Sequence, residues 1–81
     1  MTFHIVVHTL DELSGVRDRV VTTLAAAELT SNQLFAAKLA LEGVVIDAVK
    51  RNPFSESPMA LTGVVNSTQT MFRLESGDEQ A

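Results

Sequence analysis

The chain has 81 residues, of which 46% are hydrophobic, and its ten acidic and six basic side chains give a formal net charge of −4. This length predicts one small domain, and the acidic balance with dispersed basic residues argues against a nucleic-acid partner. Cysteine is absent, which excludes disulfides and thiolate metal sites, and no run is apolar enough for a signal peptide or a membrane span, so we expect a cytoplasmic protein.

The first element is predicted to be a half-buried β-strand. Phe3, Ile5 and Val7 occupy alternate positions, and the intervening residues include His4 and His8. These two histidines share one face of the strand. Four strand residues span about 13 Å, so one metal ion cannot bind both imidazoles. We expect both rings to be solvated or stacked on neighbouring strands.

An amphipathic helix is predicted next. Thr9 and Glu12 have the spacing of a capping box, with Asp11 and Ser14 as alternative starts. Apolar residues then recur at intervals of three and four and form one face: Leu13, Val16, Val20, Leu24 and Ala27. We expect this helix to run to about Leu29.

A second, longer helix is predicted from Thr30 to Pro53. Thr30 and Gln33 offer another capping box, with Ser31 as the alternative cap, and Asn52-Pro53 ends the helix because proline cannot continue it. Two apolar stripes follow its length: Leu34, Ala37, Leu41, Val45 and Ala48 in one, and Phe35, Leu39, Ile46 and Val49 in the other. A helix that is apolar on two sides needs cover on both, so we expect it at the centre of the domain.

A third stripe on this helix is built of small residues and ends in a carboxylate: Ala36, Ala40, Gly43 and Asp47. The favoured interpretation is a groove that packs against the Ala25–Ala27 end of the first helix. The alternative is a place where a ligand or another backbone approaches. We expect Asp47 to lie on an exposed edge or to pair with Lys50 or Arg51.

A β-hairpin is predicted after a polar loop at 55–58. The alternating positions of residues 59–65 form two sets, Met59, Leu61, Gly63 and Val65 in one and Ala60, Thr62 and Val64 in the other. After a turn at 66–69, residues 70–75 alternate again, with Phe72 and Leu74 on one face. The element order predicts an α+β two-layer sandwich, β-α-α-β-β, with a three-stranded sheet and both helices on one face. Residues 1–75 would form this domain and residues 76–81 a flexible acidic tail.

The sheet face away from the helices is predicted to carry polar and apolar side chains together. Thr62, Val64 and Arg73 fall on this face, and Val64 and Met71 make it apolar enough to be covered by a second copy or another partner.

The run from Leu39 to Asn52 resembles the long helix of the histidine-kinase-like ATPase fold, in its anti-sigma-factor branch. That helix has a Leu-Ala-Leu lead, then Asn-Ala-Val and a basic end; this chain has Leu39-Ala40-Leu41 and Asp47-Ala48-Val49-Lys50. The element order resembles the first half of that fold. The run Leu74-Glu75-Ser76-Gly77 is similar to the Asp-x-Gly that follows the same hairpin in the family.

The resemblance implies where a nucleotide would bind. The general-base glutamate of the family falls on Gly43, which cannot activate water. The magnesium-holding asparagine falls on Asp47, whose oxygens can still bind a hard cation, and the adenine-contacting aspartate falls on Glu75. It therefore implies cofactor-binding positions at Gly43, Asp47 and Glu75, but a relative that does not hydrolyse ATP. We predict no catalytic residue and no resident cofactor.

The favoured functional prediction is a non-catalytic protein-binding module that regulates or inhibits a partner protein and is able to form a homodimer. Its predicted interaction surface consists of Ala36, Ala40, Gly43, Val64, Met71 and Arg73. One alternative is a nucleotide-binding relative of the anti-sigma-factor kinases, with Asp47 as the metal ligand. The other is a subunit whose hairpin edge completes the sheet of a larger assembly. Neither nucleic acid nor a membrane is an expected partner.

Overall fold

The computed structural model describes residues 1–55 and 57–76, which form two helices and three strands together with their connections. The elements are β1 (Thr2–Val7), α1 (Leu10–Ala26), α2 (Ser31–Arg51), a short 3₁₀ turn (Pro53–Ser55), β2 (Met59–Val65) and β3 (Thr70–Ser76). Their order confirms the predicted β-α-α-β-β arrangement and the α+β class. β3 reaches one residue beyond the predicted domain boundary, and the rest of the predicted acidic tail, 77–81, lies outside the described residues.

The sheet is antiparallel, with β2 in the centre and the order β1-β2-β3. Ile5, Leu61 and Leu74 lie opposite one another across the three strands, as Phe3, Gly63 and Phe72 do two residues further along. These residues face the helices. His4, Thr62 and Arg73 lie opposite one another on the other face, as the alternation predicted.

The core lies between this sheet and the two helices. Four residues of α1 are buried at helical spacing, and α2 adds a second buried stripe from its predicted core face. The cluster is completed by strand residues; together its buried members are Val7, Leu13, Val16, Val20, Leu24, Ala37, Leu41, Ala48, Leu61, Val65 and Phe72. Burial of these apolar side chains drives the two layers together.

α1 ends three residues earlier than the predicted Leu29. Ala27 is extended and its N–H donates to the carbonyls of Thr23 and Leu24, which closes the helix. Leu29 and Leu34, the fourth residue of the next helix, are both half-buried and pack against the core. Apolar residues at these two positions often pack together and fix the angle at which a chain enters a helix.

The capping box predicted at the start of α1 forms only in part. Thr9 Oγ1 accepts the N–H of Glu12 at 3.2 Å, as expected. The Glu12 carboxylate, however, accepts the backbone N–H of His8 at 2.9 Å. This hydrogen bond fixes the backbone of His8, the residue before the N-cap.

α2 is one unbroken helix, with both of its predicted end signals in place. At its start, Thr30 Oγ1 accepts from the N–H of Gln33, and the Gln33 side chain accepts from the N–H of Thr30. At its end, Asn52 takes the left-handed conformation with φ of 46° and donates its N–H to the Ala48 carbonyl. Asparagine tolerates this conformation better than most residues.

The prediction that α2 is covered on two sides is wrong. Its second apolar stripe is exposed to solvent, with Phe35 at 65%, Leu39 at 58%, Ile46 at 54% and Val49 at 59% of their accessible surface. In the described part of the chain the sheet and α1 cover the stripe that contains Ala37 and Leu41, and no third layer lies over the opposite side.

The expected packing of the small-residue stripe against the end of α1 is also wrong. Ala25, Ala26 and Ala36 are exposed, and a Cβ added at Gly43 would meet no described atom within 4 Å. The small residues therefore border open space.

Candidate functional site

A groove runs between α2 and β3, and we call it the α2–β3 groove. Its volume is about 930 Å³, and one wall is helix while the other is an edge strand. The residues that line it are Ala40, Gly43, Val44, Asp47, Ala48, Arg51, Pro53, Met59, Met71, Phe72, Arg73, Leu74 and Glu75. Most of these side chains are apolar, so the groove suits an apolar ligand with a few polar contacts.

The side chains of the helix wall project little into the groove because several of them are small. Ala40 and Gly43 lie one turn apart, and the space beside Gly43 is open among the described residues. Asp47 follows one turn later and forms an exposed ion pair with Arg51, again one turn on. The prediction that Asp47 is exposed or paired with a basic residue is thus confirmed.

The strand wall exposes backbone hydrogen-bonding groups. Within the described residues β3 pairs with β2 alone. The N–H of Asn66 donates to the carbonyl of Gln69 at 2.9 Å, and bonded and non-bonded pairs then alternate along the hairpin. Because of this alternation the N–H and C=O groups of Met71, Arg73 and Glu75 point toward β2, whereas those of Thr70, Phe72 and Leu74 point outward.

The charged side chains of β3 are already engaged with one another. Arg73 Nε lies 3.5 Å from Glu75 Oε2, and Thr62 Oγ1 donates to the same carboxylate at 3.0 Å. Thr62 belongs to the sheet face that looks away from the helices, so the Glu75 carboxylate turns toward that face. Glu75 is among the residues that line the groove, but its carboxylate is engaged on the open face of the sheet.

The groove brings together most of the residues that the sequence singled out. Gly43, Asp47 and Glu75, the positions implied by the resemblance, all line it, and so do Ala40, Met71 and Arg73 from the predicted interaction surface. Two other predicted residues lie elsewhere. Ala36 is exposed further toward the start of α2, and Val64 lies opposite Met71 on the open sheet face.

Several lining residues were not predicted as part of a site. Val44 and Ala48 continue the helix wall, and Met59 and Leu74 contribute from the sheet. Of these, Ala48 belongs to the predicted core stripe of α2. The sequence held no signal that distinguishes a residue buried under a neighbour from one that borders a groove.

The histidines lie apart from the groove. His8 Nδ1 is 3.4 Å from Glu12 Oε1, and His4 lies opposite Thr62 on the open sheet face. Within residues 1–55 and 57–76 no three acidic or histidine side chains are gathered in a way that could hold a metal ion. Asp47 alone supplies oxygen ligands on the helix wall.

Apolar, acidic and basic side chains line the described part of the groove. No hydroxyl or imidazole side chain is among its described lining residues, and each of its acidic groups has a basic neighbour. A nucleophile with an adjacent base, which covalent catalysis needs, is therefore not assembled from these residues.

The chain matches no protein-family model, no curated protein and no solved structure. Its function is therefore inferred from the geometry of its own surface. In the described part of the chain, neither helix has the length and hydropathy that crossing a membrane requires.

Proposed function

We propose that this protein is a non-catalytic protein-binding module that regulates or inhibits a partner protein, and that an extended segment of the partner binds in the α2–β3 groove. One observation carries the proposal. The outward backbone groups of β3 lie beside a helix wall whose small residues leave room for a fourth strand.

An added strand fits both walls of the groove. Its backbone would exchange hydrogen bonds with Thr70, Phe72 and Leu74, which supplies affinity that depends little on sequence. Every second side chain would point toward α2 and contact Ala40 and Gly43, which supplies specificity. Edge strands pair readily with further chains in this way. The same geometry accommodates the predicted role as a subunit that extends a partner's sheet.

Selection from a library of random peptides displayed on phage tests the proposal without knowledge of the partner. The immobilised full chain selects binders, and each binder is then measured against two variants. Gly43→Leu places a large side chain in the groove, whereas Gly15→Leu places the same side chain on α1. Both glycines are helical and exposed, and a Cβ at either meets no described atom within 4 Å.

We expect the selected peptides to lose affinity at least about tenfold with Gly43→Leu and less than about twofold with Gly15→Leu. The backbone amide signals of Phe72 and Leu74 should shift on binding to the unaltered chain. Binders that are indifferent to Gly43→Leu, or a library that yields none, would contradict the proposal.

Nucleotide binding is the second candidate. It is favoured by the position of Gly43, Asp47 and Glu75 on a single groove, as the resemblance to the ATPase fold implies. Titration with magnesium and ATP, followed by amide signals, tests it with Asp47→Ala as the variant that lacks the oxygen ligand. Saturable shifts at Gly43 and Glu75 that Asp47→Ala weakens would support it, and unmoved signals at millimolar ATP would eliminate it.

A further inference from the structure

The outer face of α2 carries four large apolar side chains, each more than half exposed: Phe35, Leu39, Ile46 and Val49. They follow one line along the helix over about 21 Å, since each residue rises 1.5 Å. We call this line the outer seam. Exposed apolar surface of this extent marks an interaction site in soluble proteins.

The spacing of the outer seam fits a helix as its occupant. Successive members are separated by four, seven and three residues, with Glu42 at the vacant heptad position between Leu39 and Ile46. This is the a/d pattern that packs knobs into holes on a facing helix. An extended strand would match a period of two, which the seam does not have.

The same spacing favours a second copy of this chain as the source of that helix. Reversing the order of the intervals gives three, seven and four, so the seam is nearly symmetric about residues 42 and 43. If a second copy packs antiparallel, Phe35 meets Val49 of that copy and Leu39 meets its Ile46. A two-fold interface requires this kind of self-complementary surface.

The centre of the seam suits a two-fold axis. Glu42 would approach its own copy, but Arg17 Nη1 of α1 lies 3.1 Å from its carboxylate and balances the charge. The two-fold axis therefore brings together two ion pairs instead of two bare carboxylates.

We propose that two copies associate through the outer seams of their α2 helices, in antiparallel orientation, about an axis near Glu42. This interface lies on a different side of α2 from the α2–β3 groove. The proposal is independent of the proposed function, and it can hold or fail separately.

Sedimentation of the full chain over roughly 10 µM to 1 mM tests the association. We expect a reversible dimer whose dissociation constant rises at least about tenfold with Ile46→Glu. Val6→Glu is the control, because Val6 is also a large exposed apolar residue, at 46%, but lies on the sheet. Circular dichroism should show that both variants stay folded. A monomer throughout, or equal effects of the two substitutions, would overturn the proposal.

Cysteine cross-linking tests the orientation, since the chain has no thiol of its own. Glu42→Cys should form a disulfide-linked dimer on mild oxidation because the two sulfurs meet near the axis. Leu39→Cys should not, since the two copies of position 39 would be offset by about 10 Å, beyond the reach of a disulfide. Cross-linking of both variants would indicate parallel helices and overturn the antiparallel arrangement.

Discussion

The ring of Phe72 lies over the backbone of Gly63, its direct neighbour on the central strand. Phe3 packs on the other side of Gly63, with its ring centroid 5.7 Å from that of Phe72. The glycine lets the two rings meet across β2 and places Phe72, which is 7% exposed, beneath α2. This contact anchors the edge strand that forms one wall of the groove.

Gly63→Ala should destabilise the fold by about 1–3 kcal/mol, because a Cβ there overlaps the Phe72 ring and the buried ring has little room to move. Urea denaturation measures this loss. Gly43→Ala is the matched control: it should raise the free energy of unfolding by about 0.5–1 kcal/mol, since alanine favours a helix and meets no described neighbour. Effects of equal sign would contradict this difference.

Leu41→Ala and Leu39→Ala should differ sharply although the two leucines are two residues apart on α2. Leu41 is fully buried, so its truncation should cost about 2–5 kcal/mol through lost packing and a cavity. Leu39 is exposed, so its truncation should change the stability of the monomer by less than about 0.5 kcal/mol. Thermal unfolding of dilute protein measures both, and similar losses would show that the outer seam is covered within one chain.

Glu12 should make stability depend on pH. The backbone N–H of His8 holds the pKa of the Glu12 carboxyl below its ordinary value of 4.5, and the His8 ring contributes further. A lowered folded-state pKa stabilises the native chain fully above the ordinary value, and this contribution is lost as the pH falls through the lowered one.

Glu12→Gln isolates this contribution. The melting temperature of the variant should lie below that of the unaltered chain at pH 7, and the gap should narrow as the pH falls below 4.5. A gap that stays constant across this range would mean that the carboxylate charge does not stabilise the start of α1.

Thr30→Ala should cost about 1 kcal/mol, because it removes the acceptor for the Gln33 N–H at the start of α2. Thr22→Ala serves as the control. Its hydroxyl only donates to the Asp18 carbonyl on the exposed side of α1, so alanine should be neutral or slightly stabilising there. Chemical denaturation of the two variants distinguishes a capping effect from the loss of any threonine.

The elements and their order could be predicted because their signals are local. The Thr30 cap with Gln33, the proline after Asn52 and the alternation in the hairpin each depend on residues close in sequence. The hairpin turn was found without an Asn-Gly pair. The structure shows why it is stable: Asn66 Oδ1 accepts the N–H groups of Thr68 and Gln69.

The exposure of one side of α2 could not be predicted, because periodicity gives the spacing of apolar residues but not which parts of the chain pack against them. Leu39 and Leu41 belong to equally regular stripes, yet one is exposed and the other buried. The end of α1 was misjudged for a related reason. Leu29 continues the helical composition, but Ala27 is already extended, and neither glycine nor proline marks this end in the sequence.

The groove was predictable only in part. The stripe of small residues on α2 could be identified from their spacing, whereas the strand that lies beside it depends on which strand forms the edge of the sheet. Sequence does not give that order for a three-stranded sheet. Alternation places Glu75 on the same sheet face as Arg73, but the contacts of its carboxylate with Thr62 and Arg73 become visible only in three dimensions.

Residue-resolved amide hydrogen exchange along β3, with and without a selected peptide, tests the central claim most directly. For the chain alone, we expect slow exchange at Met71 and Arg73 and fast exchange at Phe72 and Leu74, whose amides point outward. A bound peptide should slow Phe72 and Leu74 by at least about tenfold, as expected when edge amides gain hydrogen-bond partners. Uniformly slow exchange in the chain alone, or no change at these two amides on binding, would contradict the claim that β3 receives a partner's strand.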